Sequence, residues 1–249
     1  MADERGIDTM FRLTIFMRRA ADIDRATFVE GWRGELTAAI KANPHVERSV
    51  RSYVLNLPFA TVPEEFLWIA DDTFDGVAEL WFDTLPAAVV TANALAADEA
   101  IKTLGPKLID SAASAAWIGH VVDDFTKPGI NVKRIVAGQS RPDMALEAAQ
   151  DYWVYEHNDF FSGFEKFMSY MLSYRAIYGI PTPGLRIASQ RFMGMCADVG
   201  FASLQDLNDA YLEPEHAAVM MTDIVKFGAT SGAVTFTADA VEIGCGTAF

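Results

Sequence analysis

The chain has 249 residues, of which 34 are acidic and 20 basic, so its formal net charge is −14 at pH 7. Hydrophobic residues make up 51% of it, which excludes an intrinsically disordered chain, since disorder requires too few apolar residues to build a core. The acidic excess argues against nucleic-acid or anionic-membrane partners, which attract lysine and arginine. The length allows one large domain or two of about 100–150 residues each.

The small number of cysteines and the lack of long apolar stretches indicate the cellular compartment of the protein. The only cysteines, Cys196 and Cys245, are too few for a disulfide framework or a four-ligand zinc site. The first residues lack the basic and then apolar pattern of a signal peptide. No stretch approaches the ~20 apolar residues that span a bilayer. We therefore expect a cytoplasmic protein in a reducing compartment, with no membrane segment and no metal site.

The chain contains an internal repeat. Matching residues stand 121 positions apart through the first part of each half, and 119 positions apart further on. A two-residue length change within a loop costs little free energy. We predict a duplication, with one repeat in residues 1–127 and the other in 128–249. The matches in order are Arg12 with Lys133, Trp32 with Trp153, Glu35 with Glu156, Tyr53 with Tyr174, and Phe82 with Phe201.

In the first half, a short apolar strand is predicted over 11–17. A helix follows from Asp24, because apolar residues recur every four positions on one face. Two strands over 49–57 and 76–82, a helix over 85–104 and a last strand over 116–122 complete the half. The apolar face of the first helix comprises Phe28, Trp32, Leu36 and Ile40.

The second half shows the same order of elements. Its first strand is predicted over 132–137, and Ser140–Asp143 resembles a capping box that opens a helix. Strands over 168–177 and 192–199, a helix over 204–227 broken at Pro214, and a strand over 234–243 follow. The order β-α-β-β-α-β is the ferredoxin-like unit. We predict an α+β fold in which two tandem ferredoxin-like repeats pack sheet to sheet as a barrel within one chain.

Two segments resemble the EthD-like branch of the dimeric α+β barrel superfamily. One is Tyr152-Trp153-Val-Tyr-Glu-His157, and the other is Asp75-Gly-Val-Ala-Glu-Leu-Trp-Phe82. The resemblance covers nearly the whole chain as two copies, although Leu36 stands where the family pattern has histidine. It implies the barrel fold. The superfamily includes cyclases, decarboxylases, isomerases, cofactor-free oxygenases, haem proteins and lyases, so the fold does not name a reaction.

His157 is the first candidate for a catalytic residue. It lies on the apolar face of its helix between Trp153 and Phe161, and its counterpart in the first half is Leu36. A desolvated imidazole stays neutral and suits a general base near pH 7. The alternative is a core histidine that is hydrogen-bonded to a backbone carbonyl.

The other candidates lie in the second half of the chain, as His157 does, or in the last predicted strand of the first half. Tyr174 could bind a developing oxyanion, with Arg175 beside it, but filling the core at equivalent positions explains Tyr53 and Tyr174 equally well. His120 is a second candidate base. Glu213-Pro-Glu-His216 has a metal-binding spacing, but the internal proline and the lack of a second cluster argue against a metal. Residues predicted to bind substrate are Tyr152, Trp153, Phe161 and Arg175.

Three functions follow as hypotheses. The first is a cofactor-independent enzyme, of isomerase, cyclase or lyase type, in which His157 transfers a proton on a hydrophobic, aromatic or carbonyl-containing molecule. The second is a haem protein with a helix-borne histidine as ligand. The third is a binding or accessory protein without catalysis. Long loops over 56–73 and 178–190 are further candidates for function, and two chains could pair as a homodimer.

Overall fold

The computed structural model describes residues 10–59, 61–64, 66, 73–187, 192–229 and 232–243. Its eight strands form one closed barrel in which every neighbouring pair is antiparallel. The strands are β1 (Met10–Met17), β2 (Ser52–Leu57), β3 (Gly76–Phe82), β4 (Ala115–Thr126), β5 (Val132–Gly138), β6 (Met171–Ile180), β7 (Met195–Phe201) and β8 (Val234–Ile243).

The strand order is the same in both halves of the barrel. The first four strands run β4-β1-β3-β2 and the last four run β8-β5-β7-β6, which is the ferredoxin-like order. The two sheets are joined at both edges by hydrogen-bonded pairs, β2 with β8 and β4 with β6. The predicted α+β class is thus confirmed, as a closed eight-stranded barrel. The duplication and its boundary stay predictions.

Helices cover the outer face of the barrel. None of the helices in the described part of the chain is long and apolar enough to cross a membrane. They are α1 (Arg25–Gly31), α2 (Thr37–Ala42), α3 (Pro44–Ser49), α4 (Leu85–Ala97), α5 (Glu99–Leu108), α6 (Leu146–Tyr152), α7 (Asn158–Ser162), α8 (Glu165–Tyr170), α9 (Leu204–Tyr211) and α10 (Pro214–Ile224), with π-helical turns over Trp32–Leu36 and Trp153–His157.

The side chains of each strand alternate between two hydrophobic cores, one inside the barrel and one between the sheet and the helices. On β1, Leu13 and Met17 pack against helix residues such as Phe28, whereas Phe16 points into the barrel and stacks on Trp117. Successive side chains of a strand point to opposite faces of the sheet, so each strand serves both cores. The barrel interior is filled by side chains, and each half also has its own core between sheet and helices.

The predicted start of the helix in the second half was wrong. α6 begins at Leu146, and its N-cap, Ala145, provides no side-chain hydrogen bond. The polar residues of the expected capping box have other partners. Ser140 forms a β-bridge with Gly228, and the carboxylate of Asp143 pairs with Arg141. The backbone of Ser140 is therefore extended and lies six residues before α6, and the Asp143 carboxylate is not available as a cap.

The second strand of each half begins three residues later than predicted, because a short helix precedes it. In the first half this helix is α3, which opens with the Asn43 side chain accepting a hydrogen bond from the backbone N–H of His45. In the second half it is α8, which ends at Tyr170 directly before β6. The β7 strand is likewise shifted from 192–199 to Met195–Phe201.

The long helix predicted over 85–104 is divided in two. Asp98 lies between α4 and α5, and its carboxylate caps α5 by accepting hydrogen bonds from the backbone N–H groups of Ala100 and Ile101. Aspartate favours such N-cap positions over a helix interior. The predicted break at Pro214 is confirmed by the gap between α9 and α10.

The long connections of the two halves cross over. Phe66, from the connection after β2, packs in the core of the second half, and Leu185, from the connection after β6, packs in that of the first. The second connection is also held by a hydrogen bond from the backbone N–H of Arg186 to Asn93 Oδ1 on α4, 3.0 Å long. Each half is therefore partly closed by residues of the other.

Candidate functional site

A π-helical turn occurs at the same place in each half. Each turn begins with a tryptophan whose indole Nε1–H donates to a tyrosine hydroxyl on the strand below. Trp32 donates to Tyr53 over 3.0 Å, and Trp153 donates to Tyr174 over 2.9 Å. Such turns widen a helix locally and are frequent at functional sites. His157 and its counterpart Leu36 are the last residues of the two turns.

His157 is paired with a carboxylate that no sequence pattern pointed to. Its Nδ1 lies 2.6 Å from Oδ2 of Asp223, which is on α10. An ionised carboxylate only accepts hydrogen bonds, so Nδ1 carries the proton and Nε2 carries a lone pair. No hydrogen bond joins Nε2 to any residue in the described part of the chain. The ring is thus held in the tautomer that a base at Nε2 requires.

Asp223 is buried and receives two more hydrogen bonds. Tyr152 Oη and Lys226 Nζ each donate to its Oδ1 over 2.9 Å. Burial by itself would raise the pKa of Asp223, but the hydrogen bonds from His157, Lys226 and Tyr152 outweigh it and lower that pKa. The carboxylate is therefore ionised at neutral pH.

Burial lowers the pKa of His157 below its ordinary value of 6.5, and the attraction of Asp223 offsets this only in part. The imidazole is therefore neutral at pH 7. Three aromatic rings surround it, with ring centroids between 5.1 and 6.5 Å from its own. A neutral imidazole oriented by an ionised carboxylate in an apolar setting has the features of a general base. The surrounding rings belong to Trp153, Phe161 and Phe227.

Most of the other predicted site residues of the second half lie around this pair. Tyr152 contacts Asp223 directly, while Trp153 and Phe161 pack on the His157 ring. The hydroxyl of Tyr174 is occupied, since it accepts from Trp153 and lies 3.4 Å from Asn158 Oδ1. Its ring stacks on Phe161. Tyr174 therefore supports the pair through Trp153 and Phe161.

Two predicted site residues lie elsewhere. Arg175 follows Tyr174 on β6 and so points to the opposite face of the sheet, where it bonds Thr126 and lies over Trp81. His120 lies on β4, opposite Tyr178 of β6, and its ring packs against Phe11. Burial lowers the pKa of His120. The structure brings neither residue into contact with His157, because strand alternation and the β4–β6 seam separate them.

The corresponding place in the first half is apolar. Leu36 replaces His157, and Leu104, at the offset of 119 residues, replaces Asp223. A cavity of about 170 Å³ lies there between the sheet and the helices, lined by Leu36, Trp32 and Tyr53 among others. In the second half, aromatic side chains and the His157–Asp223 pair lie between the sheet and the helices. The two halves thus share a framework and differ in chemistry.

A second cluster of charged side chains lies inside the barrel. Arg12 Nη1 lies 2.6 Å from Asp198 and 3.4 Å from Glu79, and Lys133 Nζ lies 3.1 Å from Glu79 and 3.2 Å from Asp198. All four are buried. Arg12 and Lys133 stand 121 positions apart, and Glu79 and Asp198 stand 119 apart, so each half contributes one cation and one anion.

This barrel cluster is electrically balanced. Burial alone would raise the pKa of Asp198, but Lys133 and Arg12, with a smaller effect of Arg175, lower it to about 2. Arg12 also contacts the thiol of Cys196, whose pKa burial raises to about 12, so the thiol is protonated. A carboxylate fixed in its charged form by two cations is a poor proton donor or acceptor. We interpret the barrel cluster as a structural feature, in which partners offset the cost of burying charge.

His216 is a buried imidazole, although its sequence pattern gave no sign of a place in the core. It stacks on Phe167 with ring centroids 3.7 Å apart. Neither ring nitrogen has a hydrogen-bond partner among the described residues. Glu213 accepts hydrogen bonds from the backbone N–H groups of Glu215 and His216, which makes it a helix cap. No group of three or more metal-binding side chains occurs in the described part of the chain.

We predict that His216 destabilises the protein in acid. Burial lowers its pKa to about 4 from 6.5, so between these values the unfolded chain binds a proton that the folded chain does not. Stability therefore falls as pH drops from 6.5 to 4 and levels off below that. Replacing His216 by Phe should remove on the order of 2 kcal/mol of this loss, measured by urea unfolding at pH 7 and pH 4.5. An equal loss in both proteins would contradict the prediction.

Comparisons with known proteins show the fold. No protein-family model matches the chain, and no curated protein matches it in sequence. An anthrone oxidase-like protein of known structure is similar, with a TM-score of 0.61, 10% identity, and coverage of 95% of this chain and 93% of that one. A proposed monooxygenase from Lactobacillus acidophilus gives a TM-score of 0.50 at 12% identity, covering 96% and 97%.

A chlorite dismutase variant from Candidatus Nitrospira defluvii, solved in complex with cyanide, gives a TM-score of 0.50 at 10% identity, covering 93% of this chain and 90% of that one. In all three cases nearly the whole of both chains is matched, so the likeness covers both halves of the barrel. At such identities it shows the architecture alone. The chain thus shares its barrel architecture with these three proteins.

Proposed function

We propose that the protein is an enzyme that removes a proton from a carbon acidified by a conjugated carbonyl group in a hydrophobic aromatic molecule, with His157 as the base. The observation that carries this proposal is the 2.6 Å contact between Nδ1 of His157 and Oδ2 of Asp223. It leaves the Nε2 lone pair as the basic atom, within an aromatic environment that suits such a substrate.

The chemistry follows from the charges at the site. In the forward step the substrate C–H bond breaks, its electron pair moves into an enolate, and the proton goes to Nε2. The resulting imidazolium is stabilised by the ionised Asp223, which is buried beside it. Asp223 stays ionised because Tyr152 and Lys226 also donate to it. Return of the proton to another atom would give isomerisation, and loss of a leaving group would give elimination.

Anthrone is a suitable test substrate, because one similar structure is of an anthrone oxidase-like protein and because the CH₂ group of anthrone is acidified by its aromatic ketone. The experiment follows exchange of these protons for deuterium in D₂O without oxygen, by proton NMR. We expect exchange faster than in buffer, with first-order dependence on protein concentration. Exchange at the buffer rate across anthrone and simpler aryl ketones would contradict the proposal.

A second candidate function is haem binding with His157 as ligand. The same contact favours it, since histidines that bind metals usually donate their other ring N–H to a carboxylate. His157, whose Nδ1–H donates to Asp223 and whose Nε2 has a lone pair, therefore fits as a ligand of a haem iron. A bound haem would supply redox chemistry, while Asp223 would hold the ring and increase its basicity.

A visible spectrum separates the two candidates. Purified protein is titrated with haemin, and His157→Ala serves as the control. A sharp Soret band that the substitution removes would support the haem protein and count against the cofactor-free enzyme. A spectrum equal to that of free haemin in both proteins would exclude His157 as a haem ligand and leave proton transfer as the proposal.

A further inference from the structure

A lysine on the protein surface contacts the carboxylate behind His157. Lys226 lies just after the end of α10, and its Nζ is 2.9 Å from Asp223 Oδ1. The Lys226 side chain is 55% exposed, whereas those of Asp223 and His157 are 2% and 7% exposed. A buried acid–base pair is therefore joined by one hydrogen bond to a charge that is in contact with solvent.

The two oxygens of Asp223 have different partners. His157 Nδ1 lies 2.6 Å from Oδ2, while Lys226 Nζ and Tyr152 Oη each donate to Oδ1 over 2.9 Å. Hydrogen bonds from a charged donor to a carboxylate are among the strong ones. Turning the carboxylate would break both hydrogen bonds at Oδ1, so these two donors hold Oδ2 against the imidazole of His157.

The first half provides an internal comparison for Lys226. At the offset of 119 residues its counterpart is Lys107, which is exposed in the last turn of α5, and Leu104 stands in place of Asp223. A cation near the C-terminal end of a helix is stabilised by the helix dipole, which accounts for a lysine at this position in both halves. The contact between this lysine and a carboxylate is an addition in the second half.

Two charges act on His157 among the described residues, and they oppose each other. Besides burial, which lowers the pKa of His157 most, Asp223 raises that pKa and Lys226 lowers it. Tyr152 and His216 are uncharged at pH 7, because burial raises the pKa of the first and lowers that of the second to about 4. The other ionisable side chains near the pair are Tyr174 of β6 and, on the helix of His157 itself, the exposed Glu156 and Asp159.

We propose that Lys226 is a positioning residue that fixes Asp223 against His157 and whose charge sets how readily Nε2 of His157 accepts a proton. The inference rests on the proposed function, since it concerns the base of that reaction. A positive charge close to the ring disfavours the imidazolium, and the hydrogen bond that Lys226 donates weakens the attraction of Asp223 for it. Because Lys226 is exposed, salt screens its charge, so the basicity of the site responds to ionic strength.

The test measures the pKa of His157 in the full chain by NMR titration of its ring protons, whose signals are those missing from His157→Leu. In Lys226→Met and Lys226→Gln this pKa should be higher than in the unaltered protein, because the cation that opposes protonation is gone. Lys226→Arg keeps the charge and should keep the pKa near that of the unaltered protein. Lys107→Met removes the corresponding lysine of the first half and should leave the pKa of His157 unchanged.

Salt and the reaction itself provide two further readouts. In about 1 M NaCl, where the Debye length is about 3 Å, the difference in the pKa of His157 between Lys226→Met and the unaltered protein should become smaller. In the rate of anthrone exchange, the fall towards acid should begin at higher pH in Lys226→Met. This shift is opposite in direction to the one expected when the Asp223 carboxylate is removed.

The outcomes separate this inference from the proposed function. An unchanged pKa of His157 in Lys226→Met, or an equal rise in Lys107→Met, would overturn the role of Lys226 even if the protein catalyses exchange. A rise in Lys226→Met alone, with anthrone exchange at the buffer rate in every variant, would support the effect of Lys226 on His157 and count against the proposed function.

Discussion

Replacing His157 by Leu is expected to abolish catalysed exchange of anthrone protons while leaving the fold intact. The first half already has leucine at the corresponding position of its π-helical turn, so the side chain fits that framework. A positioned general base contributes about 10²- to 10⁴-fold to a proton transfer, and we expect a loss of that size. The rate is measured by NMR in D₂O, and folding by circular dichroism and the unfolding temperature.

The controls separate the base from its surroundings. Asp223→Asn should lower the rate about 10- to 100-fold, the usual effect of removing the carboxylate behind a functional histidine. The double variant His157→Leu/Asp223→Leu copies the first half and leaves no unpaired charge, so it should fold and be inactive. His45→Gln changes a histidine of α3 and should leave the rate unchanged. Exchange at the full rate in His157→Leu would show that His157 is not the base.

Replacing Arg12 by Met is expected to destabilise the protein severely, because Arg12 is one of the two cations of the barrel cluster. The substitution would leave Glu79 and Asp198 inside the barrel with Lys133 as the cation that contacts both of them and Arg175 acting more weakly on Asp198. Removing one partner from a buried ion cluster costs about 3–5 kcal/mol, because an uncompensated charge stays in the interior. The free energy of unfolding is measured by urea denaturation at pH 7. Two spectroscopic probes should report the same loss relative to the unaltered protein.

A matched comparison tests whether charge, and not shape, causes this loss. Combining Arg12→Met with Asp198→Leu removes one cation and one anion, so the remaining pair of Glu79 and Lys133 is neutral. The double variant should be more stable than Arg12→Met alone. A loss below about 1 kcal/mol for Arg12→Met would mean that water or structural rearrangement compensates the charge, contrary to our interpretation of the barrel cluster.

Much of the fold could be predicted because the sequence pattern is local. The predicted β3 and β8 have the bounds of the structure, since alternating or apolar runs end at clear turn residues. The errors at the start of the second strand of each half arise from short helices that precede these strands. α3 and α8 extend into the starts of the predicted strands, at residue 49 in the first half and at residues 168–170 in the second.

The sequence predicted His157 as a site residue but did not predict its partner, Asp223. His157 stands out because a polar residue interrupts an apolar helical face at a position where the first half has leucine. Asp223 is 66 residues away in sequence, on a helix with no distinctive motif, so only tertiary structure brings the two together. The barrel cluster does have a signal in the repeat. Arg12 aligns with Lys133, and extending the same comparison to Glu79 and Asp198 identifies all four charges.

The pH dependence of anthrone exchange tests the central claim most directly, since a neutral His157 is the proposed base. Burial lowers the pKa of His157, so the rate should stay constant from pH 8 down to about its ordinary pKa of 6.5, and fall only at lower pH as the ring gains a proton. Because Asp223 raises that pKa, the fall in Asp223→Asn should move to still lower pH. A rate independent of pH, or a profile that His157→Leu leaves unchanged, would contradict the account.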